Sequence, residues 1–381
     1  MSFVFSADGH IVEPAELFTE GLPQSLKHHA ILSEVRGEHR VTVTGDKVLH
    51  QLRMRPDSNT NDQEQEATAM RKRAEGEQPA RKALGHKNVE GRLVDMKAEG
   101  IDAEIVFPSL GLWTFGIENI DAELASCEIY NNWNNKVFKD YPQIFVRCGV
   151  LPVRNLANTM AEMRRIAAMG FTAAMLPVAS PVGVPRYNSP LWDPVFSLAG
   201  ELELVIVLHT GTGLPDVVVE RGPGGAVINY ARQLCDGADA VMWLVAGGVL
   251  DRNPKVRVAV IEAGASWLPA VAERMDEVYN AHYTFVRPKL GRMPSQIIRD
   301  QVKCSFQYDR ACIIARDIVG TGAIMWGSDY PHAEGTFPNT RLTLQRLFEG
   351  IDISEREKAD ILGGNAARLF RLPRAEFTSF G

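Results

Sequence analysis

Eight short apolar runs recur along the chain, most of them separated by longer segments of helical period. They read "FVFSAD" (3–8), "DAEIVFP" (102–108), "IFVRCGVLP" (144–152), "FTAAMLPV" (171–178), "LVIVLH" (204–209), "VRVAVIEAG" (256–264), "VKCSFQ" (302–307) and "AIMWGSD" (323–329). Several are almost continuously hydrophobic, the pattern of parallel strands buried on both faces. Parallel neighbours need crossovers, and "NLANTMAEMRRIAAMG", "SWLPAVAERMDEVYNAHY" and "RACIIARDIVGTG" have the period to supply helical ones. Eight such units predict a (β/α)8 barrel, a single domain over residues 1–381. A doubly wound sheet is the competitor, but no glycine-rich dinucleotide turn follows an early strand.

Residues 31–90 fall outside the barrel and read as an insertion after the first strand. Residues 31–55 alternate like a small hairpin turning at "TGD". Residues 56–90 are polar, charged and poor in aromatics, and are expected to form a lid over the mouth of the barrel. Near the other end, "SEREKADILGGNAARLFRL" predicts a closing helix with Ser354 as N-cap and Glu357 completing a capping box.

With 45% hydrophobic and 23% charged residues, the chain has ample material for a core. Its net charge of −6 argues against nucleic acid as a main partner. No apolar run reaches membrane-spanning length and the start does not read as a signal peptide, so a cytoplasmic location is expected. The five cysteines are scattered with no C-x-x-C pair and read as reduced core thiols.

Chemistry in a barrel of this kind gathers where strands end at the C-terminal mouth. The first strand ends in Asp8-x-His10, with Glu13 just beyond; residues i and i+2 of a strand share a face, so a carboxylate and an imidazole stand side by side. The fifth ends in His209, the sixth in Glu262 and the eighth in Asp329, followed by His332 and Glu334. A lone strand-end histidine is ordinarily a satisfied core residue. Metal-competent side chains on four strand ends of one barrel point instead to a metal site. His28, His29, His39 and His50 lack any partner pattern and read as surface residues, and His86 as an exposed loop residue.

The segments "RLVDMKAEGIDAEIVFPS" (92–109), "YNSPLWDPVFSLAGELELVIVLHTG" (187–211), "GSDYPH" (327–332) and "GGNAARLF" (363–370) carry a resemblance that spans nearly the whole chain. It resembles the amidohydrolase-related proteins of the metal-dependent TIM-barrel superfamily, in the branch of aminocarboxymuconate-semialdehyde decarboxylase and the resorcylate decarboxylases. The resemblance implies Asp8, His10, His209 and Asp329 as core metal ligands. Two departures stand out. Strand four ends "MLPVAS", without the bridging lysine or glutamate of binuclear hydrolases, and Glu262 stands where the decarboxylases commonly carry a catalytic histidine.

Within that superfamily, "DGHIVEP", "IEAG" and "SDYPHAEGTFP" look most similar to the TIM-barrel non-heme di-iron monooxygenases, typified by the hydroxylase of platensimycin and platencin biosynthesis. That similarity implies two Fe ions held by Asp8, His10, Glu13, His209, Glu262, Asp329 and His332, with Asp329, Glu262 and His209 at the reacting centre. It further implies O2 as co-substrate and hydroxylation of a bulky, diterpenoid-like acyl-coenzyme A thioester in antibiotic biosynthesis. No flavin, nicotinamide or haem motif is present, so a separate reductant or reductase is expected as partner. Trp113 and Phe115 of "GLWTFG" would form an apolar wall for the acyl group, and the basic cluster around Arg71 and Lys72 would meet the coenzyme A phosphates. A homodimer is within expectation. The alternative is a family hydrolase or non-oxidative decarboxylase using one Zn or Mn ion, with Asp329 in the hydrolytic case as general base. A binding protein on an inherited barrel also remains open, because fold alone does not fix function.

Overall fold

The computed structural model describes residues 3–53, 83–214, 218–332 and 334–373. Its strands are β1 (Phe5–Ser6), β2 (Ile31–Arg36), β3 (His39–Thr44), β4 (Lys47–Arg53), β5 (Ala103–Val106), β6 (Phe145–Val150), β7 (Ala173–Pro177), β8 (Val205–His209), β9 (Val258–Ile261), β10 (Val302–Phe306) and β11 (Ile324–Trp326). Eight of them form one parallel sheet in the order β1-β5-β6-β7-β8-β9-β10-β11. Each of the eight apolar runs contains one of these strands. The two outer strands meet beyond their ends: Ala7 donates its N–H to Trp326 O at 2.9 Å, and Gly9 bridges Tyr330 in parallel. The sheet thereby closes into a (β/α)8 barrel. Every residue of β5, β7, β8 and β9 is buried, which explains why these runs show no alternation.

The helices start where the sequence provides caps. Asn155 accepts from Ala157 N and Asn158 N at the head of the helix Leu156–Ala168, and Asn119 accepts from Ala122 N before Ile120–Phe138. The segment "SWLPAVAERMDEVYNAHY" forms the helix Trp267–Ala281. The pattern in "RACIIARDIVGTG" splits instead into Arg310–Ile314 and Arg316–Val319. The reason is local: Arg316 Nη1 donates to Ile313 O at 3.0 Å while its Nε reaches Glu357 at 2.7 Å, so a side chain satisfies a carbonyl that a continuous helix would have used.

Residues 31–53 form a three-stranded antiparallel sheet, β2-β3-β4, rather than a single hairpin. The expected turn at "TGD" joins β3 to β4 with Gly45 at φ +57°, and a second turn at Gly37, φ +59°, joins β2 to β3. The expected lid over 56–90 lies largely outside the described residues, as do Arg71 and Lys72. The Ser354 capping box is present, with Glu357 N donating to Ser354 Oγ at 3.2 Å and Ser354 N to Glu357 Oε2 at 3.0 Å. The closing helix then widens into a π-helical turn over Asp360–Gly364, where a Cβ on Gly363 would stand 2.7 Å from Phe3 O. No described helix is long and apolar enough to cross a membrane.

One buried carboxyl makes stability depend on pH. Glu123, on the inward face of Ile120–Phe138, accepts from Arg154 N at 3.0 Å through Oε2, while Oε1 has no hydrogen-bond partner. Burial pushes this carboxyl up from 4.5 to about 7. The folded state therefore keeps a proton that the unfolded chain has already released, so stability falls as pH climbs from about 4.5 through about 7. The loss approaches roughly 3 kcal/mol at 1.4 kcal/mol per unit. Glu123→Gln is expected to flatten the thermal-unfolding midpoint between pH 5.5 and 8 relative to the wild type; parallel profiles for the two proteins would contradict this.

Candidate metal centre

The strand-end residues converge at the C-terminal mouth. Asp8, Glu262 and Asp329 stand around the imidazoles of His10 and His209, all of them buried or nearly so. Each imidazole is oriented by a carbonyl. His10 Nδ1 donates to Pro108 O at 2.9 Å and His209 Nδ1 to Thr210 O at 3.0 Å, which leaves both Nε2 atoms as lone-pair donors aimed inward, 3.2 Å apart. Asp8 Oδ1 lies 3.6 Å from His10 Nε2 and 3.8 Å from His209 Nε2. Glu262 Oε2 lies 3.6 and 3.4 Å from the same two nitrogens. Asp329 Oδ1 is 3.7 Å from His10 Nε2 and accepts from His332 Nδ1 at 2.7 Å. His332 stacks over His10 at 4.3 Å between ring centroids, half-exposed at the rim, and Phe107 packs against both inner histidines as an apolar floor.

Local backbone aims these groups. Glu262 and Asp329 both sit in the left-handed region, at φ +62° and +53°, a conformation that costs energy in any residue with a Cβ and concentrates at functional sites. Gly9 separates Asp8 from His10 for a steric reason: a Cβ there would stand 2.7 Å from Arg92 Nη2 and 2.8 Å from Glu104 Oε2. Behind the ligands, Arg92 donates to Glu104 and to His10 O, so a fully buried ion pair fixes the end of β1.

The donor set fits a divalent cation. Both oxygens of Asp8 and Oδ2 of Asp329 are buried without a hydrogen-bond partner, a costly arrangement unless positive charge lies among them. Burial and the neighbouring Asp329 push Glu262 well above the usual carboxylate range, and burial with Asp8 and Glu334 does the same to Asp329. Burial and the two neighbouring imidazoles hold His10 well below its ordinary value. Burial also pulls His209 down, but Asp8 and Glu262 outweigh it and leave the ring above its ordinary value. Among the described residues two overlapping groups of four donors can be drawn: Asp8, His10, His209 and Glu262, and His10, Glu262, Asp329 and His332. They share His10 and Glu262; the Nε2 of His10 has a single lone pair and serves one ion only, whereas a carboxylate has two oxygens.

Glu13 does not join this cluster. Its Oε1 accepts from Ser109 N and Gly111 N at 3.2 and 2.8 Å, and its Oε2 from Ser109 N and Leu110 N at 3.1 and 2.9 Å. It ties the loop after β5 to the chain leaving β1 instead of holding a metal. Glu13→Ala is expected to cost about 2–3 kcal/mol of stability by stranding these donors, with metal content per chain unchanged; parallel loss of the metal would restore Glu13 as a ligand.

Phe115 is 1% exposed and belongs to the core, so it does not form the expected open wall; Trp113 is partly buried and stacks on His50 at 5.0 Å, so His50 is not a free surface histidine. A cavity of about 490 Å³ opens instead on Glu262, lined also by Tyr230, Leu234, Gln307, Tyr308 and Glu334. The sequence reading missed Tyr230 and Tyr308, which stand outside the matched segments. It assigned no role to Arg92, Asp95 and Glu104, although they lie inside "RLVDMKAEGIDAE".

The amidohydrolase family profile matches residues 39–372. A decarboxylase, yanB, of Aspergillus niger is 25% identical over 200 residues, which is 48% of this chain; the chain spans about half, 49%, of the curated relative it matches. Among solved structures, an amidohydrolase of Mycobacterium avium subsp. paratuberculosis superposes with a TM-score of 0.77 at 21% identity, over 97% of this chain and 99% of that one. A 5-carboxyvanillate decarboxylase of Novosphingobium aromaticivorans, solved with bound manganese, gives a TM-score of 0.66 at 15% identity over 97% of each chain.

Proposed function

Because the chain belongs to the amidohydrolase family, we propose that it is a metal-dependent, non-oxidative decarboxylase of a small carboxylic acid, working with one Mn or Zn ion. The observation that carries this reading is the convergence of unpartnered, buried carboxylate oxygens and two inward-facing imidazole nitrogens on the ends of β1, β8, β9 and β11. Asp8, His10 and His209 would hold the ion, with Glu262 and Asp329 beside it. A divalent ion there supplies positive charge that anchors a substrate oxygen and draws electron density from the reacting carbon. Relatives named as decarboxylases, one of them with manganese, support the same class.

The residues divide the work. His332 Nδ1 donates to Asp329 Oδ1 and fixes that carboxyl, which leaves Oδ2 to carry a proton at the mouth. As the bond to the departing carboxylate breaks, carbon dioxide leaves, the electron pair stays on the substrate carbon, and the Oδ2 proton is delivered to it. Glu262 closes the side of the cluster facing the cavity, and Tyr230 and Tyr308 offer flat surfaces suited to a ring. The resemblance implies a catalytic histidine at the position where this chain has Glu262; in this reading the Asp329 carboxyl takes the proton-donating role instead.

A second reading keeps the two-iron monooxygenase, with O2, an acyl-coenzyme A substrate and an external reductant. The second donor group favours it: after His10 is assigned to one ion, Asp329 and His332 remain for another, with Glu262 common to both groups. One experiment separates the two. Manganese-loaded and iron-loaded protein are each incubated with aromatic carboxylic acids and with acyl-coenzyme A thioesters plus a reductant, with and without O2, and released carbon dioxide and oxygenated product are measured. Metal-dependent release without O2 supports the decarboxylase. Turnover that requires O2 and adds one oxygen atom to the product supports the oxygenase and rejects the first reading.

A further inference from the structure

Immediately after Asp329 comes a tyrosine whose bonds lead away from the centre. Tyr330 is 5% exposed, and its backbone O accepts from His10 N at 2.6 Å, which links the two ligand-bearing turns. Its hydroxyl donates to Asp95 Oδ2 at 2.6 Å and accepts from Gly85 N at 2.8 Å. Asp95 Oδ2 also accepts from Leu84 N at 2.6 Å, and Val12 N donates to His86 O at 2.7 Å. The Arg92 guanidinium that donates to His10 O lies 4.7 Å over the same tyrosine ring. The turn at 84–86 is thus fastened to both ligand-bearing turns through one hydroxyl, one carboxylate and one backbone bond.

This network leaves little slack. Asp95 and Arg92 are 1% and 0% exposed, and a Cβ on Gly85 would stand 2.1 Å from Arg92 Cα, so the turn cannot shift without disturbing Arg92. Both backbone groups of the ligand residue His10 are held by this network, its N–H by Tyr330 O and its carbonyl by Arg92, so the placement of His10 is tied to the turn. We propose that Tyr330 is a positioning residue that couples occupancy of the metal centre to the order of the 84–86 turn. The turn lies in the 31–90 insertion, so the mouth of the barrel responds to the metal. The inference rests on the metal reading above. By linkage, whatever factor the metal gains from an ordered turn, the turn gains from the metal.

The test is hydrogen exchange of a peptide covering residues 84–88, with and without Mn2+, beside a Mn2+ titration by calorimetry. In the wild type, Mn2+ is expected to slow exchange in this peptide. Tyr330→Phe keeps the ring under Arg92 and removes only the hydroxyl. It is expected to bind Mn2+ about tenfold more weakly and to show the same fast exchange at 84–88 with or without metal, while peptides from β7 to β9 stay as protected as in the wild type. Asp95→Asn, tested beside it, is expected to change both readouts in the same direction. Wild-type affinity and wild-type metal-dependent protection in both variants would overturn the coupling alone. A wild-type chain that binds no Mn2+ would overturn the metal reading and this inference together.

Discussion

Replacing Asp329 with asparagine is expected to lower turnover by about 10³-fold while the protein stays folded and keeps its metal within about tenfold. The amide retains an oxygen for the His332 contact and fills the same space, so packing around the φ +53° turn is preserved. It cannot carry the transferable proton that the reaction takes from Oδ2. Substrate affinity should change little, because the loss falls on the step and not on binding. A decrease of less than tenfold in turnover would move the proton to another group, with Glu262 next in line by position.

His209→Ala is expected to remove both metal and activity. It deletes one of only two imidazoles in the first donor group and leaves Asp8 and Glu262 facing a gap. Dialysed variant should hold less than a tenth of the wild-type metal, and turnover should fall in proportion. Wild-type protein treated with a chelator should lose activity and regain it with Mn2+ or Zn2+. Retention of the ion should also weaken as pH falls: Glu262, in the same donor group, holds its proton above the usual carboxylate range, and protons compete with the cation for its oxygens. Full activity of the chelated protein would contradict the account.

How much of this was legible in the sequence follows from what each residue depends on. The barrel strands were readable because burial on both faces removes polar positions from "LVIVLH" and "FTAAMLPV". Asp8, His10, His209, Glu262 and Asp329 were readable because each stands where such an apolar run gives out, a polar side chain having no place in its core. Glu13 looked alike on paper but lies three residues further on. What it meets are amides of residues 109–111, nearly a hundred positions away, and no local pattern announces them. Phe115 was misplaced for a related reason: the 3-10 turn Gly111–Gly116 points it inward and leaves Trp113 to meet His50 from β4. The Arg92, Asp95 and Tyr330 network was hidden because helices ordinarily carry charges outward. Here the helix Val89–Glu99 turns three of them, Arg92, Asp95 and Glu99, inward.

The most direct measurement of the central claim is the metal content of protein purified without added metal, read by elemental mass spectrometry for the wild type and for Asp8→Ala. One divalent ion per wild-type chain, manganese or zinc, with loss of that ion in the variant, is the result predicted by a centre built around a single His10 lone pair. Two iron atoms per chain, or an ion content unaffected by Asp8→Ala, would contradict it.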